Sequence, residues 1–436
     1  MIASICVTVF SIVSMFLSLV FLPEIKIKGR SIETFFIGPL LGALIVLIFG
    51  LVDYAELGSS LIKAGSINPL EILALFLAMS FVSIVLDEAG FFSYLAAKVA
   101  SKAKGSQYHL FMLLYLLTSV LTIFTSNDIV ILTFTPFIIF FSKRAKISPI
   151  PYLVSEFVAA NTYSMLLLIG NPTNIYLAQS FNISFFSYFK EMWLATLLSG
   201  IGGLGLMLIF FHKSLKVPFE AIDDKPVLKD KVLAISALGI LVLTIVMMAI
   251  SDFIDRPLWL VSVVGAFLLI LISVLYGIRK HSSFRTLGSS FIRLPYPVIP
   301  FILSMFVLVS SLKDNGVIQL IGDYLSTVNP YAGVGLVSFF SADLLNNIPM
   351  SVFFTQVISS MSPVNELNVF LAIISSNLGA FLTPVGALAG VMWMSILKRH
   401  EIRFGFIDFM KYLSPIALIS LGLAFLGLFI VSNPLF

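Results

Sequence analysis

The segment MLLLIGNPTNIYLAQS, residues 165–180, interrupts an apolar stretch with helix-breaking and polar residues. The interruption combines a flexible glycine, a proline without a backbone N–H and three polar side chains: Gly170, Asn171, Pro172, Thr173 and Asn174. Lipid cannot satisfy such groups, so they are tolerated at membrane depth only inside protein or beside a water-filled cavity. The segment therefore predicts a broken membrane helix over 150–180, whose freed carbonyl and N–H groups face an ion or a polar solute.

A second break and two polar tips have the same character. The run LTPVG, residues 382–386, interrupts the apolar segment 368–397. The segments 109–142 and 331–361 each contain two apolar arms, too short for full spans, around a polar tip, which predicts re-entrant hairpins. The tip residues are Ser126, Asn127 and Asp128 in the first hairpin, and Asn346 and Asn347 in the second.

The composition indicates a membrane protein. Hydrophobic residues make up 59% of the 436 positions and charged residues 11%, a balance that excludes an ordinary soluble domain. The single cysteine, Cys6, excludes an internal disulfide. Ten segments are long and apolar enough to be predicted as spans. They are 2–22, 34–53, 69–87, 150–180, 192–211, 231–250, 258–277, 296–312, 368–397 and 412–433.

Basic residues predict the orientation of these spans. If the loop with Lys26, Lys28 and Arg30 is cytoplasmic, and both hairpins return to the side they left, 22 of the 26 basic residues are cytoplasmic. The other four are Lys63, Lys190, Arg256 and Lys313. We therefore expect a multi-pass inner-membrane protein, in contact with lipid, with both termini extracytoplasmic. The net charge of +4 then reflects topology, and no nucleic-acid partner is expected.

The two halves of the sequence share one order of parts. Residues 86–92 (LDEAGFF) align with 312–318 (LKDNGVI), and in each half a polar tip and then a break follow. Each half contains five spans and a hairpin, and because five is odd the second copy must enter the membrane upside down.

We therefore predict an all-α polytopic membrane protein. It has about ten transmembrane helices plus two re-entrant hairpins in two inverted repeats, with two broken helices. The first repeat covers 1–211 and the second 231–436, and a cytoplasmic linker, 212–230, joins them.

Solute and ion binding is predicted at the tips and breaks, because the polar groups there have no lipid partner. The predicted binding residues are Ser126, Asn127, Asp128, Asn161, Gly170, Asn171, Thr173, Asn174, Asn346, Asn347, Asn377, Thr383 and Gly386. Three carboxylates at membrane depth are candidates for coupling, unless each is simply paired with a polar neighbour: Asp128, Asp343 and Glu156. A Na⁺ site is considered at the tip residues Asn127, Asp128, Asn346 and Asn347.

The chain resembles the ArsB/NhaD branch of the ion-transporter superfamily, and within it is most similar to arsenite and antimonite efflux proteins. The resemblance covers nearly the whole chain and is most specific at 86–92, 127–136, 171–175, 346–349 and 378–386 followed by Trp393. It implies a homodimeric secondary carrier with an elevator-like movement, which exchanges a trihydroxy-metalloid for protons. In some members a cytoplasmic ATPase assists. No cofactor is implied beyond H⁺ or Na⁺ as the coupling ion.

Two departures from the arsenical pattern leave the solute open. Arsenical pumps have an Asp on each broken helix, where this chain has Asn161 and Asn377, and the Ser that usually follows the second break is Ala387. The run at 170–174 looks more like that of the anion and carboxylate carriers. The alternatives are therefore a metalloid, a carboxylate or other anion carried with Na⁺, and Na⁺ exchanged for H⁺.

The sequence also bears on two other classes of protein, enzymes and channels. An enzyme is disfavoured, because the sequence contains neither a His-Glu-x-x-His zinc pattern nor a Gly-x-x-x-x-Gly-Lys-Ser/Thr nucleotide-binding loop, and no catalytic residue is assigned. A channel could also be lined by broken helices. Exchange of labelled for unlabelled solute separates a carrier from a channel.

Overall fold

The computed structural model describes residues 1–22, 24–27, 30–62, 68–219, 228–251, 253–280 and 282–433. Most of this chain is α-helical, and the predicted all-α polytopic class is confirmed. Residues 220–227, in the middle of the predicted linker 212–230, lie outside the described residues.

The first half of the described chain forms ten helices. They are α1 (Ile2–Phe21), α2 (Ile37–Ile48), α3 (Tyr54–Ile62), α4 (Pro69–Glu88), α5 (Phe91–Ser101), α6 (Gln107–Phe124), α7 (Asn127–Arg144), α8 (Ile150–Tyr163), α9 (Pro172–Ser180) and α10 (Phe185–Leu215). A short 3-10 turn, Leu168–Gly170, lies between α8 and α9.

The second half repeats this order with ten more helices. They are α11 (Lys231–Ala249), α12 (Leu258–Arg279), α13 (Ser282–Ile292), α14 (Val298–Asp314), α15 (Val317–Ser326), α16 (Val337–Leu345), α17 (Asn347–Ser360), α18 (Glu366–Gly379), α19 (Leu388–Arg399) and α20 (Phe406–Ser432). A π-helical turn, Tyr331–Leu336, precedes α16. Each helix of the first half thus has a counterpart ten helices later.

The repeated motif at 86–92 and 312–318 forms the same turn twice. Gly90 follows α4 and Gly316 follows α14, with φ of 84° and 78° respectively. Only glycine adopts this left-handed conformation at little cost. In both halves the turn ends a long helix and starts a short one, α5 or α15, and the second turn bends the chain by 77°.

Seven described helices are long and apolar enough to cross a membrane, or eight if the bent pair α14 and α15 counts as one span. Six of the seven fall in predicted spans. The seventh is α6, which has 18 residues and is therefore longer than the hairpin arm expected over 109–142. The predicted span 34–53 contains only the 12-residue α2, and the spans 150–180 and 368–397 are each interrupted.

The interrupted helices lie at the centre of the bundle. The residues of α8 from Pro151 to Thr162, and those of α18 from Asn368 to Gly379, are buried on every face. By contrast α10, α11, α12 and α20 expose apolar side chains, as helices that face lipid do. The first break, 170–174, is likewise fully buried, whereas Leu382, Thr383 and Val385 of the second break are half-buried.

A two-stranded β-hairpin joins α1 to α2 and was not predicted. Its strands are β1 (Glu24–Ile27) and β2 (Arg30–Glu33), which pair antiparallel with Ile25 opposite Ile32. Arg399, at the end of α19, forms an ion pair of 3.2 Å with Glu24. The hairpin therefore contacts the end of the second broken helix.

The ion pairs join groups that the charge pattern places on one side of the membrane. Arg293 pairs with Asp87 at 2.7 Å and with Glu88 at 2.6 Å, all predicted to be cytoplasmic. Lys313 pairs with Glu56 at 2.7 Å, both predicted to be outside. Each pair therefore joins residues predicted on the same side, and the side itself stays a prediction.

Cysteine accessibility tests which end is cytoplasmic. In a Cys6→Ser background, Ser101→Cys and Ser214→Cys are expected to react with a membrane-impermeant thiol reagent only from the cytoplasm, because basic loops stay on that side. Ser362→Cys is expected to react only from outside, and the Cys6→Ser protein is the unlabelled control. Labelling of Ser362→Cys from the cytoplasm would contradict the inverted repeat.

Candidate functional site

The first hairpin tip lies against the first broken helix. The Asn127 side chain, at the start of α7, donates from Nδ2 to Oδ1 of Asn161 in α8 at 3.1 Å. Asn161 in turn donates to the Phe157 carbonyl at 2.9 Å, one turn back along its own helix. The Oδ1 atom of Asn127 is buried and has no hydrogen-bond partner among the described residues. An acceptor is therefore free at the tip.

Asn377 of α18 connects the two broken helices. Its Oδ1 accepts from Asn171 Nδ2 at 2.9 Å and from Ser164 Oγ at 3.0 Å. Its Nδ2 donates to Asn174 Oδ1 at 2.6 Å and to the Ile373 carbonyl at 2.8 Å. We call Asn171, Asn174 and Asn377 the amide bridge. All three are fully buried, and it is the interruption of the first helix that lets them meet.

The remaining polar groups of the first break are also used internally. Asn174 Nδ2 donates to the Ser164 carbonyl at 2.8 Å, and Thr173 Oγ1 lies 3.0 Å from Ser376 Oγ. A Cβ atom on Gly170 would lie 2.2 Å from the Ser164 carbonyl oxygen, so only glycine fits there. The first break is thus closed on itself and on α18.

The second tip lies against the second break in a separate cluster. The Asn346 side chain donates to the Val385 carbonyl at 3.2 Å, and the Asn347 backbone N–H donates to the Gly386 carbonyl at 2.9 Å. Asp343 Oδ1 accepts from the Thr383 N–H at 2.9 Å and from its hydroxyl at 2.7 Å. The Asp343 carboxylate therefore holds the break to the hairpin.

The three predicted coupling carboxylates have different surroundings. Glu156 is fully buried in α8 and accepts from the Thr135 hydroxyl at 3.0 Å and 3.1 Å. Asp343 is tied to Thr383 as described above. Asp128 is half-buried beside the first tip and makes no hydrogen bond or ion pair within the described part of the chain. Asp128 is therefore the least constrained of the three.

A fourth carboxylate, which the sequence did not single out, lies near the first tip. Burial, and then the negative charges of Asp128 and Glu24, raise the pKa of Glu33 from 4.5 to about 7. Glu33 belongs to β2, outside the membrane helices. The hydropathy pattern gives no sign of this β-hairpin, which places Glu33 near the first tip. The ion pair of Arg399 with Glu24 offsets part of the negative charge there.

The predicted site residues thus form two groups. One joins the first tip, the first break and α18, and the other joins the second tip to the second break. Within the described ranges no hydrogen bond links the two tips, and no group of three or more His, Cys, Asp or Glu residues is placed to hold a metal ion. Ser164 and Ser376 belong to the first group and were missed, since neither stands out in the sequence.

Two cavities differ in how they relate to the predicted binding residues. A cavity of about 10 Å³ lies between α4, the first tip and the first broken helix, and its polar lining is Ser80, Ser83, Thr125 and Ser126. A larger cavity of about 370 Å³ lies where α4 begins, and Arg256 and Trp259 are among its lining residues. None of the predicted binding residues lines the larger cavity. Of these two cavities, it is therefore the smaller one that adjoins the predicted binding residues.

This chain is similar to known proteins in sequence and in fold over most of its length. A membrane protein of Bacillus subtilis (strain 168) is 27% identical over 401 residues, covering 85% of this chain and 88% of its own. An arsenical pump membrane protein of Yersinia enterocolitica is 25% identical over 352 residues, covering 75% and 79%. The crystal structure of the Alcanivorax borkumensis YdaH transporter, described as having an unusual topology, is 13% identical and covers 98% of both chains with a TM-score of 0.55. That last likeness concerns the fold alone.

A family model assigns the chain to a family of transporters. The CitMHS model, described as citrate transporter, matches residues 36–369. This match includes both hairpin tips and the first broken helix, and it ends near the start of α18. The resemblance to the ion-transporter superfamily and its arsenical pump proteins is therefore confirmed, and the chain belongs to the CitMHS, or citrate transporter, family.

Proposed function

We propose that this protein is a secondary carrier that exports an uncharged trihydroxy-metalloid, such as arsenite, by alternating access. The observation that carries this proposal is the neutrality of the central polar cluster. Among the described residues, no Lys, Arg or His side chain hydrogen-bonds to a predicted binding residue, and the amide bridge contains only uncharged groups. At neutral pH arsenite is an uncharged trihydroxide, so hydroxyl and amide partners suffice to replace its water.

An anionic solute fits this cluster less well. Removing an anion from water is costly unless a cation or several donors compensate it. Helix N-termini favour anions, and α7, α9, α17 and α19 all begin at the tips or breaks. However, the Asn171 side chain already accepts from the second residue of α9, and the Asn346 side chain does the same in α17. Among these four helices, α7 and α19 start without a side-chain cap.

The family description keeps a carboxylate carried with Na⁺ as the second candidate. In that case the half-buried Asp128 and the free Oδ1 of Asn127 would be the oxygen ligands of Na⁺ at the first tip. The same two groups serve a proton-coupled metalloid carrier if Asp128 exchanges a proton. The coupling residue is thus proposed to be Asp128 in both cases.

Growth and exchange assays separate the two solutes. Expression in an arsenite-sensitive bacterial host is expected to raise the tolerated arsenite concentration several-fold and to lower arsenite accumulation. Proteoliposomes of the wild type are expected to exchange external for internal arsenite, and to leave external citrate outside with or without Na⁺. Citrate uptake that requires Na⁺, without arsenite exchange, would overturn the proposal in favour of the carboxylate carrier.

The pH dependence of exchange tests the acidic groups at the first tip. The Glu33 carboxyl has a pKa of about 7, above its usual value, so Glu33 is mostly protonated below that pH and charged above it. Its charge then acts on Asp128, with Glu24 and Arg399 as the other charged groups nearby. Wild-type exchange is expected to change with pH around neutrality. Glu33→Gln should remove the change near pH 7, and Asp128→Asn should flatten the remaining dependence on H⁺ or Na⁺.

The matched control is Glu366→Gln, which removes an exposed carboxylate from the first turn of α18. This variant is expected to keep the full wild-type profile. If Asp128→Asn keeps it as well, Asp128 is not the coupling residue, and Asp343 or Glu156 takes its place.

A further inference from the structure

The small cavity beside the first tip has two walls from different parts of the bundle. One wall is α4, which contributes Ser80 and Ser83, and the other is the tip, which contributes Thr125 and Ser126. The α4 helix packs mainly against α11 and α12, and its other side also contacts α7 and α9. The cavity therefore lies between the tip and a helix that was not predicted to take part in binding.

The polar groups around this cavity are buried but incompletely bonded. Ser80, Ser83 and Ser126 are 3%, 1% and 8% exposed. In the described chain none of their hydroxyls has a protein hydrogen-bond partner, whereas Thr125 donates to the Leu121 carbonyl at 2.7 Å. Several other buried serines of the bundle bond to a carbonyl of their own helix, as Ser273 does. At this cavity three hydroxyls are therefore left to bond to whatever occupies it.

We propose that Ser80 and Ser83 of α4 bind the transported solute directly, opposite Ser126 of the first tip, and that the solute is small, uncharged and rich in hydroxyl groups. This inference rests on the proposed function and adds the helix that completes the site.

The lining determines this class of solute. Besides the hydroxyls, the cavity is bordered by apolar side chains, among them Phe76, Met79 and Ile175. None of the residues found to line it is charged. Hydroxyls both donate and accept, so they match a solute whose own hydroxyls do the same, and an anion would be left uncompensated.

The size of the cavity shows what movement binding requires. A volume of about 10 Å³ holds roughly one water molecule, which is less than any trihydroxide needs. The tip and α4 must therefore separate to admit the solute. Ser80 and Ser83 belong to α4, whereas Ser126 belongs to the hairpin. The two sides of the site therefore separate when the hairpin moves away from α4.

Exchange kinetics in proteoliposomes test the serines. Ser80→Ala with Ser83→Ala is expected to raise the KM for arsenite by roughly tenfold, the loss expected for two hydrogen bonds, with little change in the maximal rate. The control is Ser262→Ala, which removes a fully buried hydroxyl of α12 that donates to the Trp259 carbonyl at 2.7 Å. That control is expected to keep the wild-type KM. An unchanged KM in the double variant would overturn the proposal, since a single trapped water would then explain the cavity.

A disulfide trap tests the geometry without any solute. In the Cys6→Ser background, Ser83→Cys with Ser126→Cys is expected to cross-link on mild oxidation, and Ser262→Cys with Ser126→Cys is not. Failure of the first pair to cross-link would overturn the placement of α4 against the tip. If the pair cross-links but the wild type does not exchange arsenite, the proposed function and the proposed class of solute are both wrong. The contact between α4 and the tip would still be supported.

Discussion

Interrupted helices at membrane depth release polar groups that lipid cannot bind, and the fold depends on how those groups find partners. Asn377 meets most of this requirement, because its amide makes three hydrogen bonds across the contact between the two halves and also donates to a carbonyl of its own helix. Each such bond contributes about 1 kcal/mol, while a buried group left without a partner costs about 1–3 kcal/mol. The amide bridge therefore holds the two broken helices together.

These hydrogen bonds indicate that the central asparagines have a structural role, although the sequence predicted them to bind the solute. Asn171, Asn174 and Asn377 are occupied by one another, and Asp343 is occupied by Thr383. The groups left free lie at the first tip, where Asn127 has an unused acceptor and Asp128 is half-buried. We infer that the centre supplies rigidity and that the first tip, facing α4, supplies the contacts to the solute.

The sequence predicted the parts of this arrangement better than their pairing. Polar and helix-breaking residues at 126–128, 170–174 and 382–386 stand out because their apolar surroundings make them costly. Their partners do not stand out: Asn174 meets Asn377 across 203 positions, and only the packed bundle brings them together. Ser80 and Ser83 were missed because small hydroxyl residues are common in apolar helices. The β-hairpin was missed because four-residue strands leave no periodic signal.

Different asparagines are thus assigned to stabilising the broken helices and to binding the solute. The most direct test of this assignment measures the thermal unfolding midpoint and arsenite exchange of Asn377→Ala and Asn127→Ala in one preparation. Asn377→Ala is expected to unfold at a clearly lower temperature, because it removes partners from Asn171, Asn174 and Ser164 at once. Asn127→Ala should unfold near the wild type yet lose exchange. An Asn377→Ala protein as stable as the wild type, or an Asn127→Ala protein with normal exchange, would contradict this assignment.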